Sequence, residues 1–317
     1  MKKFIESYAA WIALFLLLIL CAATCESFRI PANYAVMLRQ ACYTGIIAVG
    51  MTFVIGSGGI DLSVGSLFAL SGVIAFKLAP FCCTSPAGQF LCLIAIALAA
   101  GAAGGALNGA LAGFAKLPPF IVTLGTMSIF RSLALYLGDA GRVGLNNPLL
   151  AALDSNFTVW IFIFAGAAGA FLLSRSVFGV RVRATGSNEK VARFSGINTG
   201  FIQFQTYLYT GMLCALAALL WGGRLGGISS ANDGTGCELD AIAAVIVGGS
   251  SMSGGKATVT GTVAGILILT VISNALVAWG ISPRLQECVK GAVIIIAVLS
   301  QYRIIFTFLC DIGIRLQ

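Results

Sequence analysis

Residues 89 to 115 read QFLCLIAIALAAGAAGGALNGALAGFA, a run without one charged side chain. About 20 apolar residues carry a helix through a hydrocarbon core roughly 30 Å thick, and this run is longer than that. The same texture recurs on both sides of it. Of the 317 residues, 59% are hydrophobic and 9% charged, against about a quarter charged in soluble domains. Such a chain cannot cover a water-facing surface, so lipid is its main solvent. The fold class that follows is an all-α integral membrane protein.

Apolar runs punctuated by Gly, Pro and charge predict about ten crossings. They fall near Tyr8–Ser27, Ala41–Ile55, Val64–Pro80, Gln89–Ala115, Pro119–Leu137, Phe157–Leu173, Phe201–Gly222, Leu239–Met252, Val259–Gly280 and Leu285–Phe306. The first follows Lys2 and Lys3 as a signal peptide would, but no small-residue cleavage site precedes Glu26, so it reads as a retained helix. With the N-terminus inside, Lys2, Lys3, Lys116, Arg175, Arg181, Arg183, Lys190, Arg193, Lys256, Arg303 and Arg315 fall on the cytoplasmic side. Arg29, Arg39, Lys77, Arg142, Arg224 and Arg284 fall on the other, while Arg131 and Lys290 lie within helices. This bias predicts an even number of crossings and both termini in the cytoplasm. Residues 1–317 read as a single transmembrane domain, and the longest polar interruption, 174–200, reads as a cytoplasmic loop. The net charge of +8 is spread through loops between apolar runs and forms no nucleic-acid-binding stripe.

Ten cysteines and no histidine leave only thiolate metal sites, and the cysteine spacing matches no zinc pattern. Most read as small buried hydrophobes. Cys82 and Cys83, in a predicted outer loop, are placed where a disulfide is conceivable.

Two glycine breaks interrupt the apolar pattern. In Ile55-Gly56-Ser57-Gly58-Gly59-Ile60-Asp61-Leu62-Ser63-Val64-Gly65-Ser66, backbone leaves helical geometry beside a carboxylate. At membrane depth such backbone lines a cavity or is buried in protein. Asp61 therefore marks a transport path, caps the next helix through its side chain, or does both. The second break, Ser250-Ser251-Met252-Ser253-Gly254-Gly255-Lys256-Ala257, superficially matches a phosphate-binding loop. It has Ser250 at the first glycine position and Ala257 in place of the metal-binding hydroxyl residue, so the chain carries no nucleotide-hydrolysing motif of its own. The breaks also form a weak internal repeat. Gly58-Gly59 and Gly65-Ser66 recur as Gly254-Gly255 and Gly261-Thr262 at an offset of 196, with Ile46, Ala48 and Val49 matching Ile242, Ala244 and Val245. Two-repeat construction with broken helices is common in transporters, and chance in a Gly-rich chain is the competing reading.

Inside the polar loop, Asn188 suits a helix start, Glu189 its positive end, Arg193 its negative end and Gly196 a left-handed stop. A helix of about two turns is marginal in water, so it needs a surface to lie on: lipid headgroups, given Arg181 and Arg183, or a cytosolic partner protein. Asp61, Arg131, Glu238, Asp240, Glu287 and Lys290 lie in or near helices, where burying charge is expensive and function is the default reading. Glu287 and Lys290, three apart, read as an ion pair. No carboxylate pair, Ser-His-Asp set or metal cluster carries chemical catalysis, so the chain does not read as an enzyme.

The runs Gly58 to Ser66, Pro119 to Met127, Asn188 to Asn198 and Gly234 to Val245 together resemble the permease subunits of bacterial ribose-type sugar ABC importers, over about Arg39 to Leu299. The resemblance implies a ten-helix permease of the bacterial inner membrane that pairs with a second copy or a sibling subunit. It further implies a cytosolic ATP-binding subunit that holds ATP and Mg, and sugar received from a periplasmic binding protein; no cofactor is bound by the permease itself. Asn188, Glu189, Val191, Ala192, Arg193, Phe194 and Gly196 would then form the coupling helix seated in the ATPase. Ser187 and Cys237 stand where the family pattern has a glycine and an aromatic residue.

Gate or path residues on this reading are Gly58, Gly59, Asp61, Ser63, Gly65, Asn108, Thr123, Thr126, Asp240, Gly254 and Gly255. The substrate implied is a pentose, hexose or related small polyol. An ion-coupled secondary transporter, a branched-chain amino acid ABC permease and a membrane scaffold without transport are the competing readings.

Overall fold

In the computed structural model, which describes residues 2–152, 157–282 and 285–298, nearly every element is a helix. Helix α1 spans Lys2–Thr24, and a 3-10 turn over Glu26–Arg29 leads to α2, Pro31–Gly56. Pro31 suits the first helical turn, where its missing N–H costs nothing. The expected start at Ala41 lies ten residues inside α2. Arg39 does not stop the helix, because its exposed guanidinium donates back to the Ala35 carbonyl at 3.2 Å.

Helix α3 is Val64–Cys82 and α4 is Pro86–Gly109, the latter started by Ser85, whose hydroxyl accepts from the Gly88 N–H at 3.2 Å. A π turn over Ala110–Phe114 continues α4, and α5 spans Pro119–Leu137. Then come strand β1 (Arg142–Gly144), α6 (Pro148–Ala152), α7 (Phe157–Arg175), α8 (Val177–Ser187), α9 (Glu189–Phe194) and α10 (Thr199–Leu225). Strand β2 (Gly227–Ser229) pairs antiparallel with β1, Val143 opposite Ile228. Helices α11 (Cys237–Val247) and α12 (Val259–Ala278) follow, and α13 covers 285–298.

Seven of the described helices, α2, α3, α4 with its π turn, α5, α7, α10 and α12, are long and apolar enough to cross a membrane, and Ala9–Thr24 is a shorter apolar helix. The crossing expected at Leu239–Met252 is in the structure the eleven-residue α11, about 16 Å of helix and short of a bilayer core. The expected Leu285–Phe306 crossing is helical over 285–298. Its remainder, with Arg284, Arg303 and Arg315, lies outside the described residues.

Helices α2, α3 and α10 form the centre: 78% of the apolar window of α2 is buried, against 28% for α4, α5 and α7. A helix apolar all round is at home in such a position. Contact between α4 and α10 depends on Gly101, Gly105, Gly109 and Gly113, spaced one ridge apart. A Cβ on Gly109 would come 2.8 Å from the Phe204 Cα, and one on Gly105 would come 3.1 Å from the Leu208 Cα. Small residues at this spacing let backbones approach closely where no hydrophobic force drives helices together.

Candidate functional site

At one end of the bundle, three turns of backbone meet. Gly58, after α2, and Gly254, after α11, both have φ +84°, a left-handed conformation glycine adopts without steric cost. The Gly255 N–H donates to the Gly56 carbonyl at 3.1 Å. A Cβ on Gly254 would lie 2.8 Å from the Gly186 carbonyl oxygen at the end of α8 and 3.0 Å from the Gly58 Cα. The two halves of the repeat thus touch each other and the loop carrying α9. Higher up, the Thr52 and Thr262 hydroxyls hydrogen-bond at 2.8 Å between α2 and α12.

Helix α9 is built as its sequence dictates. The Asn188 side chain accepts from the Val191 N–H at 3.1 Å, and Gly196, at φ +81°, closes the C-terminal turn by donating to the Arg193 carbonyl at 3.0 Å. Glu189 accepts from Lys116 at 2.6 Å and from the Thr199 hydroxyl at 3.0 Å, tying α9 to the α4–α5 connection and to the start of α10. The Lys116 hydrogen bond holds the Glu189 carboxyl below its ordinary value, outweighing partial burial. Ala192 is buried, while Phe194 is 92% exposed and Val191 is exposed beside it. The helix therefore presents an apolar tip outward.

Asp61, Ser63 and Asn108 come together in the interior. Asp61 Oδ1 accepts from the Ser63 N–H at 2.9 Å and the Ser63 hydroxyl at 2.7 Å, and Asn108 Nδ2 donates to that hydroxyl at 2.7 Å. The Ile60 carbonyl accepts from the Tyr207 hydroxyl at 2.9 Å. Thr123 and Thr126 donate chiefly to their own helix, to Pro119 and Val122. These six side chains are buried, and the network fixes the break between α2 and α3 in place. Asp61 acts locally, holding the N–H of the residue that precedes α3. Gly59 and Gly65 are buried with it, and Gly58 is exposed at the junction described above.

Beyond α10 the chain turns back into the bundle. Ile228 lies beside Gly72 on α3, whereas Gly234 meets Gly65, seven residues deeper or about 10 Å along the helix. Helix α11 therefore begins at membrane depth, after Gly234 and Gly236 in left-handed conformations. Backbone carbonyls outside a helix there need partners, and Arg131 on α5 supplies two of them. Its Nη1 donates to Ser230 O at 3.1 Å and Asp233 O at 3.0 Å.

Two cavities flank this re-entrant segment, each of about 380 Å³. One opens on the α5 face and is lined by Met127 together with Ser66, Ser128, Arg131, Ser132, Thr235 and Glu238. The other lies among α2, α10, α11, α12 and α13, remote from α9, and Asp240 is the one predicted path residue that reaches it. Lys290 joins Asp240 at 3.0 Å and Glu287 at 3.2 Å, so the expected ion pair is a cluster of three. Ser66 lies in the first glycine break and Thr235 in the Gly234 to Val245 run, whereas Ser128 and Ser132 carried no signal in the sequence, since single hydroxyls are common in membrane helices; the ionisable Arg131 and Glu238 were the signal.

Among the described residues, no group of three His, Cys, Asp or Glu is placed to hold a metal. The described cysteines carry free thiols, and across the α3–α4 connection the Cys92 thiol donates to the Cys83 sulfur at 3.8 Å.

With this geometry in view, the comparisons with known proteins are specific. A family described as branched-chain amino acid transport system / permease component matches residues 33–298. The ribose import permease protein of Bacillus subtilis (strain 168) is 37% identical over 312 residues, covering 93% of this chain and 92% of its own length. The ribose import permease protein of Escherichia coli (strain K12) is 36% identical, covering 94% of both chains. The galactose/methyl galactoside import permease protein of the same organism is 33% identical, covering 93% and 94%. No solved structure matches.

Proposed function

The chain belongs to this permease family, as a membrane subunit of the sugar ABC importers, and we propose that it passes a neutral pentose or hexose across the bacterial inner membrane under the control of a partner ATPase. The family's description names branched-chain amino acids, but relatives that cover 93–95% of the chain are named for ribose, galactose and fructose, which favours a sugar. The permease itself hydrolyses nothing. ATP and Mg belong to the cytosolic subunit, and a periplasmic binding protein delivers the sugar.

The observation that carries the mechanism is the attachment of α9 to the glycine junction. A short capped helix with an exposed Phe194 and Val191 is suited to a hydrophobic socket on a cytosolic protein. Through Ser187 and Gly186 it adjoins Gly58 and Gly254, which a movement of α9 would displace together. Those turns lead into the Asp61–Ser63–Asn108 network on one side and α12 on the other. Asp61, Ser63, Asn108, Thr123 and Thr126 act here as the rigid part of the gate, and Gly58, Gly59, Gly65, Gly254 and Gly255 as its joints. The sugar passes along the α5 face, over Ser66, Ser128, Ser132 and Thr235. A second permease, identical or sibling, covers that face, since Arg131 and Glu238 would be costly against lipid. The termini and the α9 loop face the cytoplasm, in keeping with the distribution of Lys and Arg.

The test is uptake of labelled pentoses and hexoses into membrane vesicles with the cognate ATPase and binding protein present or absent. ATP-dependent uptake that needs both partners is the expected result. Uptake that survives ATP depletion and collapses with an ionophore would replace the reading with an ion-coupled transporter.

A further inference from the structure

The cavity among α2, α10, α11, α12 and α13 is distinct from the α5-face path and shares one lining residue, Thr235, with it. We propose that it is a binding site for a neutral monosaccharide, inside a single protomer, at the end of the bundle remote from α9. The inference rests on the sugar-importer reading and adds to it a site with affinity of its own.

Its volume, about 380 Å³, lies in the range of small-molecule pockets. Its chemistry is that of a ring bearing hydroxyl groups. Tyr43 and Trp221 meet edge to face at 5.1 Å between centroids and form an aromatic corner, a surface for the C–H face of a sugar. The lining also includes the Gln40, Asn232 and Gln286 amides and the Thr44 hydroxyl, which both donate and accept, as sugar hydroxyls do.

Two buried donors in the lining, Trp221 Nε1 and Gln286 Nε2, have no partner among the described residues. Buried polar groups are nearly always paired, and these two belong to side chains that line the cavity. The charge pattern selects among ligands. The lining carries Asp233, Asp240 and Lys290, and Lys290 is already held by Asp240 and Glu287. No free cation in the described lining awaits a phosphate or carboxylate, which favours a neutral sugar over a sugar phosphate. Cys237 forms part of the wall, and a larger side chain there would fill the space.

The decisive measurement is equilibrium binding of labelled ribose, galactose and fructose to the purified permease–ATPase complex without its binding protein. Saturable binding of at least one sugar in about the millimolar range is expected, competed by the unlabelled sugar and unaffected by ribose 5-phosphate. Trp221→Phe and Cys237→Phe should each weaken it at least about tenfold, with melting temperatures reported alongside; where one variant fails to fold, the other decides. Absence of saturable binding in a complex that still imports sugar with its binding protein overturns this site and leaves the importer reading intact. Binding that both folded variants retain overturns it as well. A complex that imports no sugar under any condition refutes the importer reading itself.

Discussion

Gly58 and Gly254, 196 positions apart, share a φ of +84°, and a Cβ on Gly254 would stand 3.0 Å from the Gly58 Cα. The weak sequence repeat is thus a physical contact. Each glycine lies within one half of the repeat, and both abut Gly186, three residues before α9.

Gly254→Ala therefore meets both strain and collision. The left-handed conformation alone costs an L-residue roughly 1–2 kcal/mol, and the Gly186 carbonyl, 2.8 Å away, is backbone that cannot rotate aside. The purified variant should melt several degrees lower and import poorly. Gly196→Ala, with positive φ but open space around it, should show the conformational cost alone. Equal melting temperatures for the two variants would refute the junction's tightness.

The Glu189–Lys116 bridge makes a pH-dependent contribution of predictable sign. Because the folded carboxyl titrates below its ordinary value near 4.5, its stabilisation is fully present above that pH and disappears as the pH falls through the depressed folded value. Both side chains are about two-fifths exposed, so solvent screening limits the effect to less than about 1 kcal/mol. Glu189→Gln should lower the melting temperature slightly at pH 7, and the difference should vanish in acid.

Phe194→Ser on the exposed tip of α9 should leave folding and membrane insertion unchanged while transport and sugar-stimulated ATP hydrolysis fall together. The double replacement Glu189→Ala with Arg193→Ala should uncouple uptake from hydrolysis in the same assay. Unchanged uptake in both would remove α9 from the coupling route.

Arg131→Met deprives two carbonyls of a charged donor at membrane depth, and such bonds are worth about 1.5–3 kcal/mol each. Hydrogen exchange over 230–236 should accelerate, and uptake should be lost. Arg131→Lys, which keeps the charge without the planar fork, should restore both only in part.

Much of this was legible in the chain itself. The caps of α9 could be read because Asn188, Glu189, Arg193 and Gly196 act on backbone within one turn. The glycine breaks could be read because only a few residue types accept their φ. The Gly101-Gly105-Gly109-Gly113 ridge, four apart, was a readable signal of close helix approach that the reading of apolar runs passed over. Asp61 stood out as a carboxylate between two apolar runs, but of its network only Ser63 is local; Asn108 and Tyr207 come from α4 and α10.

What the sequence determined by itself is which solvent the chain lives in and where its helices break, since apolar run length and glycine or proline placement act locally. Only the tertiary structure decided that α2, α3 and α10 are central, that α11 starts halfway through the bundle, and that Arg131 supports the chain entering it. Lipid-facing and protein-facing positions are equally apolar, so periodicity cannot separate them. Depth is fixed instead by contacts such as Gly65 with Gly234, between residues far apart in the chain.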